Sequence, residues 1–224
     1  MNEKEISTDV FTINARQGIF PQPYGTVLIM SPWNYPLILS IEPLIGAISA
    51  GNTVILKTSE LVPHTSEILK ELIHKYLDIE CYTVITEPET GQFLTTLKFD
   101  YIFYTGSTRV GRLVYQAASQ RLTPVTLELG GKNSCYVHSD ADLKKAATKI
   151  AWVKTINAGQ ICISINCILA HKSIVDQLIE EIIKSLRTFY GEDIKSSEDY
   201  GRIISCEHTE YLFQAYHIIV VLKN

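Results

Sequence analysis

The segment "NAGQICISINCIL", residues 157–169, carries two of the chain's five cysteines, Cys162 and Cys167. A cysteine attacks carbon as its thiolate, and free backbone N–H groups beside it favour that form. Cys162 sits where a helical pattern ends and an apolar run begins, with Gly159 available for the turn. It reads either as a nucleophile toward a carbonyl or as a small core residue. Cys167 and Cys135 lie inside strand-like apolar runs and read as structural. A zinc site assembled from Cys162, Cys167, Cys206 and His208 fits no common ligand spacing, so no metal is expected. Glu128, in "PVTLELGGK", is the second reactive candidate. In an extended segment it shares a face with Thr126, while Val125, Leu127 and Leu129 share the other. A carboxylate desolvated in that strand has a raised pKa and can act as a general base. The alternative is a carboxylate satisfied by backbone donors.

Two further segments suit an anionic ligand. "YTGSTRVG" follows a strand and opens a helix. Gly106 permits the tight turn, and the first helical N–H groups then face whatever sits there. The spacing departs from G-x-G-x-x-G, and a plain turn capped by Ser107 or Thr108 accounts for it equally. "LKTSE" puts Lys57 and Glu60 just past a strand end. The lysine can donate to ribose or phosphate oxygens and the glutamate can accept from a ribose diol. The other reading is a capped helix start with solvated charges.

The elements around these residues alternate. Strands are expected at "TVLIM", "TVILK", "CYTVIT", "DYIFYTG" and "PVTLELGG". Helices are expected over 37–50, which reads as buried, and over 65–77, 88–97 and 107–120. Ile68, Leu69, Leu72, Ile73 and Tyr76 should share one face of the second helix. Strands alternating with helices imply crossover units and a parallel sheet. Dinucleotides bind such sheets at the carboxyl ends of the strands. A second set follows: "NSCYV", a helix over 140–155, the strand "CISINCILA", and a helix over 173–190 with Val175, Ile179, Ile182, Leu186 and Phe189 on one face. The domain change is expected near Gly130-Gly131, giving domains 1–130 and 131–224. After Tyr200 the pattern weakens.

Composition narrows the classes. The 224 residues are 46% hydrophobic and 20% charged, which is ordinary for a globular chain. A net charge of −4 gives no electrostatic case for nucleic acid or acidic membranes. The polar start "MNEKEISTDV" lacks the apolar core of a signal peptide. The longest apolar stretch, 37–50, carries Glu42 and Pro43 and is too short to span a bilayer. An odd number of cysteines without a C-x-x-C pair suits reduced thiols in a cytosol-like, cytoplasmic setting.

Together, "PWNYP", "AGNTVILKTSE", "FDYIFYTGSTRVG", "LTPVTLELGGK" and "NAGQIC", in that order, closely resemble the aldehyde dehydrogenase superfamily. "LTPVTLELGGK", "FYGED" and "YGRIIS" resemble its class 3 branch, the fatty and aromatic aldehyde enzymes. The resemblance runs from about Gly18 to about Ser205. It implies an α/β fold: a Rossmann-like cofactor domain followed by a partial catalytic domain. The implied function is NAD- or NADP-dependent oxidation of an aldehyde to a carboxylic acid. Cys162 takes the nucleophile position, Asn34 donates its amide to the oxyanion, and Glu128 activates the hydrolytic water. Lys57 and Glu60 hold the adenosine ribose, and Gly106, Ser107 and Gly111 form the cofactor turn. Family members carry helices before the first motif and a long continuation after "YGRIIS" that includes a second cofactor-gripping glutamate and a subunit-bridging strand. The ending "AYHIIVVLKN" does not resemble that continuation, and "ISIN" replaces the branch's usual run after the cysteine. The resemblance therefore implies a C-terminally truncated member lacking the class 3 membrane tail, with the homodimer of the full-length family in question. Two rivals stand beside the enzyme. One is a non-catalytic fragment that binds cofactor or a full-length partner. The other is a thioesterase-like relative that works without cofactor.

Overall fold

The computed structural model describes residues 4–5 and 17–221, with side chains described only to residue 214 in the final helix. Most of the polar start and the last residues of "AYHIIVVLKN" lie outside the described residues. The chain divides into two compact units, Met1–Leu129 and Gly130–Asn224.

In the first unit β1 (Lys4–Glu5) and β2 (Gly18–Ile19) pair as a short antiparallel ribbon. Then come β3 (Thr26–Met30), α1 (Ile38–Ser49), β4 (Thr53–Lys57), α2 (Pro63–Tyr76), β5 (Tyr82–Ile85), α3 (Thr90–Thr96), β6 (Tyr101–Thr105), α4 (Thr108–Ser119) and β7 (Val125–Glu128). The last five strands form one sheet in the order β5-β4-β3-β6-β7, and every neighbouring pair is parallel. The order runs outward from β3 in one direction and then reverses to β6, so the switch point lies between β3 and β6. The alternation read in the sequence thus yields the expected α/β architecture.

Period-two burial explains the layers. Val27, Ile29, Val54, Leu56 and Val84 face one side, where Leu44 of α1 and Ile73 of α2 cover them. Leu28, Ile102 and Tyr104 face the other side, against Leu94 of α3 and Val114 and Ala118 of α4. Val125, Leu127 and Leu129 join this second layer, so Thr126 and Glu128 do alternate onto the opposite face.

Helix faces differ from the expectation. In α2 the buried line is Ser66, Leu69 and Ile73, whereas Ile68, Leu72 and Tyr76 are exposed. A single flanking helix buries one narrow stripe, and the second apolar row meets nothing within the unit. Likewise α1 buries only Ser40 and Leu44 and leaves Leu37, Ile38 and Ile45 exposed. It is half-buried, not the buried helix its composition suggested.

The second unit holds β8 (Asn133–Val137), α5 (Leu143–Thr155), β9 (Ile165–Ala170), α6 (Val175–Tyr190) and α7 (Cys206–Val221). Asp142 caps α5 by accepting from Lys145 N. The parallel β8–β9 pair packs one face on α5 and α6 through Val137, Ala147, Ile150, Ile174 and Leu178. Leu178, not Ile179, is the buried member of the α6 stripe; Ile179 is exposed. The inward arc begins at Ile174, in a 3-10 turn (Lys172–Ile174) that precedes α6 and shifts its phase. Helix α7 follows where the sequence pattern weakened. Among the described residues no helix is long and apolar enough to cross a membrane.

Candidate functional site

Strands β3, β4, β6 and β7 are parallel, so their carboxyl ends share one edge of the sheet. Four candidate segments emerge from that edge. Asn34 lies in the partly buried loop between β3 and α1. The loop is anchored where buried Ser40 donates through Oγ to Ser31 Oγ at 2.8 Å, and Ser31 N donates to Lys57 O at 3.0 Å.

Lys57 ends β4 with its side chain only 5% exposed, so the solvated-charge reading fails for it. Its Nζ donates to Thr58 O and stands 3.7 Å from Glu60 Oε2, whose side chain is 51% exposed. Burial lowers the Lys57 pKa below its ordinary value, and Glu60 opposes that shift. Lysine and glutamate therefore form a half-buried donor–acceptor pair at the edge.

Gly106 follows β6, and its N–H donates to Glu128 O at 3.0 Å, which joins the turn to the end of β7. A Cβ on Gly106 would strike the Tyr104 hydroxyl, so the position takes no side chain. Ser107 caps α4 by accepting from Val110 N at 3.3 Å. Gly111 packs where a Cβ would stand 2.7 Å from Leu129 Cδ2 and 3.4 Å from Tyr104 Cε1. This is the close helix–strand contact that the last glycine of a dinucleotide turn provides. Tyr104 is buried beneath both glycines, its hydroxyl donates to Ser107 O at 3.2 Å, and burial raises its pKa. The sequence reading placed "YTGSTRVG" correctly but missed Tyr104 as its floor.

Glu128 is exposed, contrary to the expectation of a desolvated carboxylate. It stands at the end of β7, an edge strand of the five-stranded sheet, so no further strand shields it within the unit. An apolar groove of about 280 Å³ runs along one sheet face beside Pro43, Ala47, Tyr101 and Phe103. None of the candidate residues lines it.

Cys162 belongs to the second unit and is exposed. It sits in a turn closed by Ser164 N donating to Ile161 O at 3.1 Å. The strand expected from 162 therefore begins only at Ile165. Before the turn, Asn157, Ala158 and Gly159 all have positive φ, at 51°, 54° and 76°. Three left-handed residues in a row end the helical pattern sharply, and two of them are not glycine. Gln160 holds this bend. Its Nε2 donates to Asn157 O at 2.8 Å and to Arg202 O at 3.1 Å, while its Oε1 accepts from Ile204 N at 2.9 Å. Asn133 Nδ2 donates to Cys162 O at 2.8 Å. Neither Gln160 nor Asn133 was legible from the sequence, because Asn133 bonds to Cys162 and Gln160 bonds to residues 202 and 204 as well as to nearby Asn157.

Cys167 is exposed, against its reading as a buried structural residue. It pairs with Ser134 on the face of β8–β9 that α5 and α6 leave open. Cys135 alternates inward and packs against the core of the unit. Among the described residues no three potential metal ligands gather.

A doubly wound parallel sheet with a glycine turn and a capped helix beside its switch point defines a Rossmann-like, nucleotide-binding architecture. The model of the aldehyde dehydrogenase family matches residues 2–218, further at both ends than the quoted motifs reach. The chain is 51% identical over 192 residues to the mouse (Mus musculus) aldehyde dehydrogenase, dimeric NADP-preferring, covering 85% of this chain and 42% of the relative. It is 48% identical over 194 residues to mouse aldehyde dehydrogenase family 3 member A2, covering 86% of this chain and 40% of that protein. The substrate-bound structure of Staphylococcus aureus AldH superposes with a TM-score of 0.91 at 45% identity, over 96% of this chain and 47% of that one. The chain belongs to the aldehyde dehydrogenase family, with relatives in the class 3 branch. It spans less than half the length of these relatives.

Proposed function

We propose that the chain serves NAD- or NADP-dependent oxidation of an aldehyde to a carboxylic acid, with residues 1–130 as the cofactor domain and 131–224 as part of the catalytic domain. The observation that supports this most is the switch point: Lys57, Glu60, Gly106 and Ser107 all emerge at the carboxyl edge beside it. A dinucleotide fits those residues. The side-chain-free turn at Gly106 and the capped start of α4 suit a pyrophosphate. Buried Lys57 can donate to the adenosine ribose or its phosphate, and Glu60 can accept from the diol. Bound there, the nicotinamide supplies a hydride acceptor.

The remaining roles belong to side chains of this chain. Cys162 adds to the aldehyde carbon as thiolate, and the carbonyl oxygen takes the negative charge. Asn34 donates its amide N–H to that oxygen, beside the Cys162 backbone N–H. Once the carbon is at the acyl level, Glu128 takes a proton from water. The hydroxide adds to the thioester carbon, the C–S bond breaks, and the carboxylic acid leaves. Glu128 is exposed at the end of β7, where water reaches it. A cytosol-like compartment belongs to the same reading, supported by five cysteines free of disulfides. So does dimeric assembly, in keeping with the name of the mouse relative.

The test is reduced-cofactor absorbance after mixing the chain with NAD or NADP and an aliphatic or aromatic aldehyde. The reading expects a burst approaching one equivalent per chain, lost in Cys162→Ser and retained in Glu128→Gln without further turnover. A burst that survives Cys162→Ser would refute it. A second reading, a cofactor-binding piece that pairs with a longer partner, is favoured by the open apolar face of β8–β9, where Tyr136 and Leu169 are exposed.

A further inference from the structure

The turn that carries Cys162 is held from the adjoining strand by one side chain. Asn133 opens β8, and its Nδ2 donates to Cys162 O at 2.8 Å and to Ser164 O at 3.0 Å. An amide nitrogen has two hydrogens, so both are committed to this turn. The register explains how Asn133 reaches it. Asn133 pairs with Ile165, but Ser134 pairs with Cys167, so Asn166 is the extra residue of a bulge. The bulge offsets the start of β9 and leaves residues 161–164 beside Asn133. Backbone also crowds this carbonyl beside the amide: a Cβ on Gly131 would stand 2.6 Å from Cys162 O and 3.1 Å from Asn133 Nδ2. Ser164, the second bonded position and the last residue before β9, is buried.

We infer that Asn133 is a positioning residue for Cys162. Its two hydrogen bonds fix the peptide planes that follow Cys162 and Ser164. The plane after Cys162 sets that residue's ψ, and the Cα–Cβ bond takes its direction from the same backbone, which restricts the rotamers open to Sγ. The clamp thus holds the backbone from which the thiol projects and the turn N–H groups beside it. This rests on reading Cys162 as the nucleophile. It also explains a residue type: an aspartate has the shape of asparagine but cannot donate, and would set a negative charge against two carbonyl oxygens near the thiol.

The experiment is limited alkylation of the purified chain with iodoacetamide from neutral to mildly alkaline pH, read by peptide mass spectrometry. Cys167 and Cys206, both exposed, are reference thiols in the same molecule, and half-buried Cys135 monitors the fold. In the unsubstituted chain Cys162 should react faster than either reference, and the pH midpoint of each rate serves as the baseline. Asn133→Asp should slow Cys162 about tenfold or more, roughly what a hydrogen bond or two can supply. It should also move the midpoint up while both references stay unchanged. Asn133→Ser, which keeps one donor, should fall between, and it carries the test if the aspartate variant exposes Cys135. Unchanged rate and midpoint for Cys162 in the variant overturn the clamp while leaving the nucleophile intact. If Cys162 already reacts no faster than Cys167 and Cys206 in the unsubstituted chain, the nucleophile reading fails and the clamp falls with it.

Discussion

At the scale of single residues, the roles proposed for Lys57 and Glu60 predict which cofactor the sheet edge prefers. Glu60 is half exposed and in that role would accept from a diol but repel a 2′-phosphate; Lys57, 3.7 Å away, would offset part of that repulsion. A charge contact near a surface is worth a few kcal/mol at most, and salt weakens it. Titration of both cofactors should therefore show a modest preference for NAD in the unsubstituted chain and a shift toward NADP in Glu60→Gln. An unchanged ratio of affinities would remove Glu60 from the cofactor site. The lysine adds a pH dependence. Burial holds its pKa below the ordinary 10.5, so between the two values the unfolded chain carries a proton that the folded chain has released. Stability contributed by Lys57 then rises with pH across that window, while its hold on an anionic cofactor declines. NADP affinity should decline as pH rises, starting at a pH lower than 10.5, and Lys57→Met should abolish that limb. The placement of Lys57, Glu60 and Gly106 at or just past strand ends was legible from the strand pattern. The exposure of Glu128 and Cys167 was not, because alternation names a face but not what covers it.

At the scale of elements, the β6–α4 unit is the best-determined part of the candidate site. Gly111 lies inside α4, where alanine is intrinsically favoured over glycine by about 1 kcal/mol. Here its Cβ would meet Leu129 Cδ2 at 2.7 Å and the Tyr104 ring at 3.4 Å. Overpacking of that kind costs roughly 1–3 kcal/mol and outweighs the gain. Gly111→Ala should lower the thermal midpoint and weaken cofactor binding, and adding Leu129→Ala should return part of both. A stabilised Gly111→Ala would show that the helix does not press on β7. The parallel strands, the glycine turn and the helices of the first unit followed from alternation and turn chemistry, whereas the strand order did not. Helix phase did not follow as well. Ile68, Leu72 and Tyr76 look as apolar as Leu69 and Ile73, and only the flanking position of α2 separates them. The bend at 157–159 was legible only at Gly159, because left-handed Asn157 and Ala158 are maintained by Gln160 and the 200–204 segment.

At the scale of the whole molecule, two compact units account for less than half the length of the family relatives. Positioning of the reacting groups can supply ~7–11 kcal/mol of a barrier, and Glu128, the base proposed for thioester hydrolysis, is exposed. Steady-state aldehyde oxidation by the purified chain should therefore fall well below an ordinary enzyme rate of about 1 per second, while cofactor binding persists. The open face should also promote association, visible as a sedimentation coefficient that rises with concentration. A Cys162-dependent steady state at or above that rate would mean the 224 residues suffice. The family was readable from ordered motifs, yet the matched region, residues 2–218, reaches further than they do.

The central claim is that Cys162 is the acyl-accepting thiol, and acyl transfer tests it most directly because it needs neither cofactor nor turnover. The purified chain is mixed with a slight excess of p-nitrophenyl acetate, quenched in acid and mapped by peptide mass spectrometry. The account predicts a thioester concentrated on Cys162, more persistent in Glu128→Gln, with Cys167 and Cys206 labelled slowly despite their exposure. Acetyl groups shared evenly among the exposed thiols, or gathered on Cys167 or Cys206 with Cys162 unmodified, would contradict it.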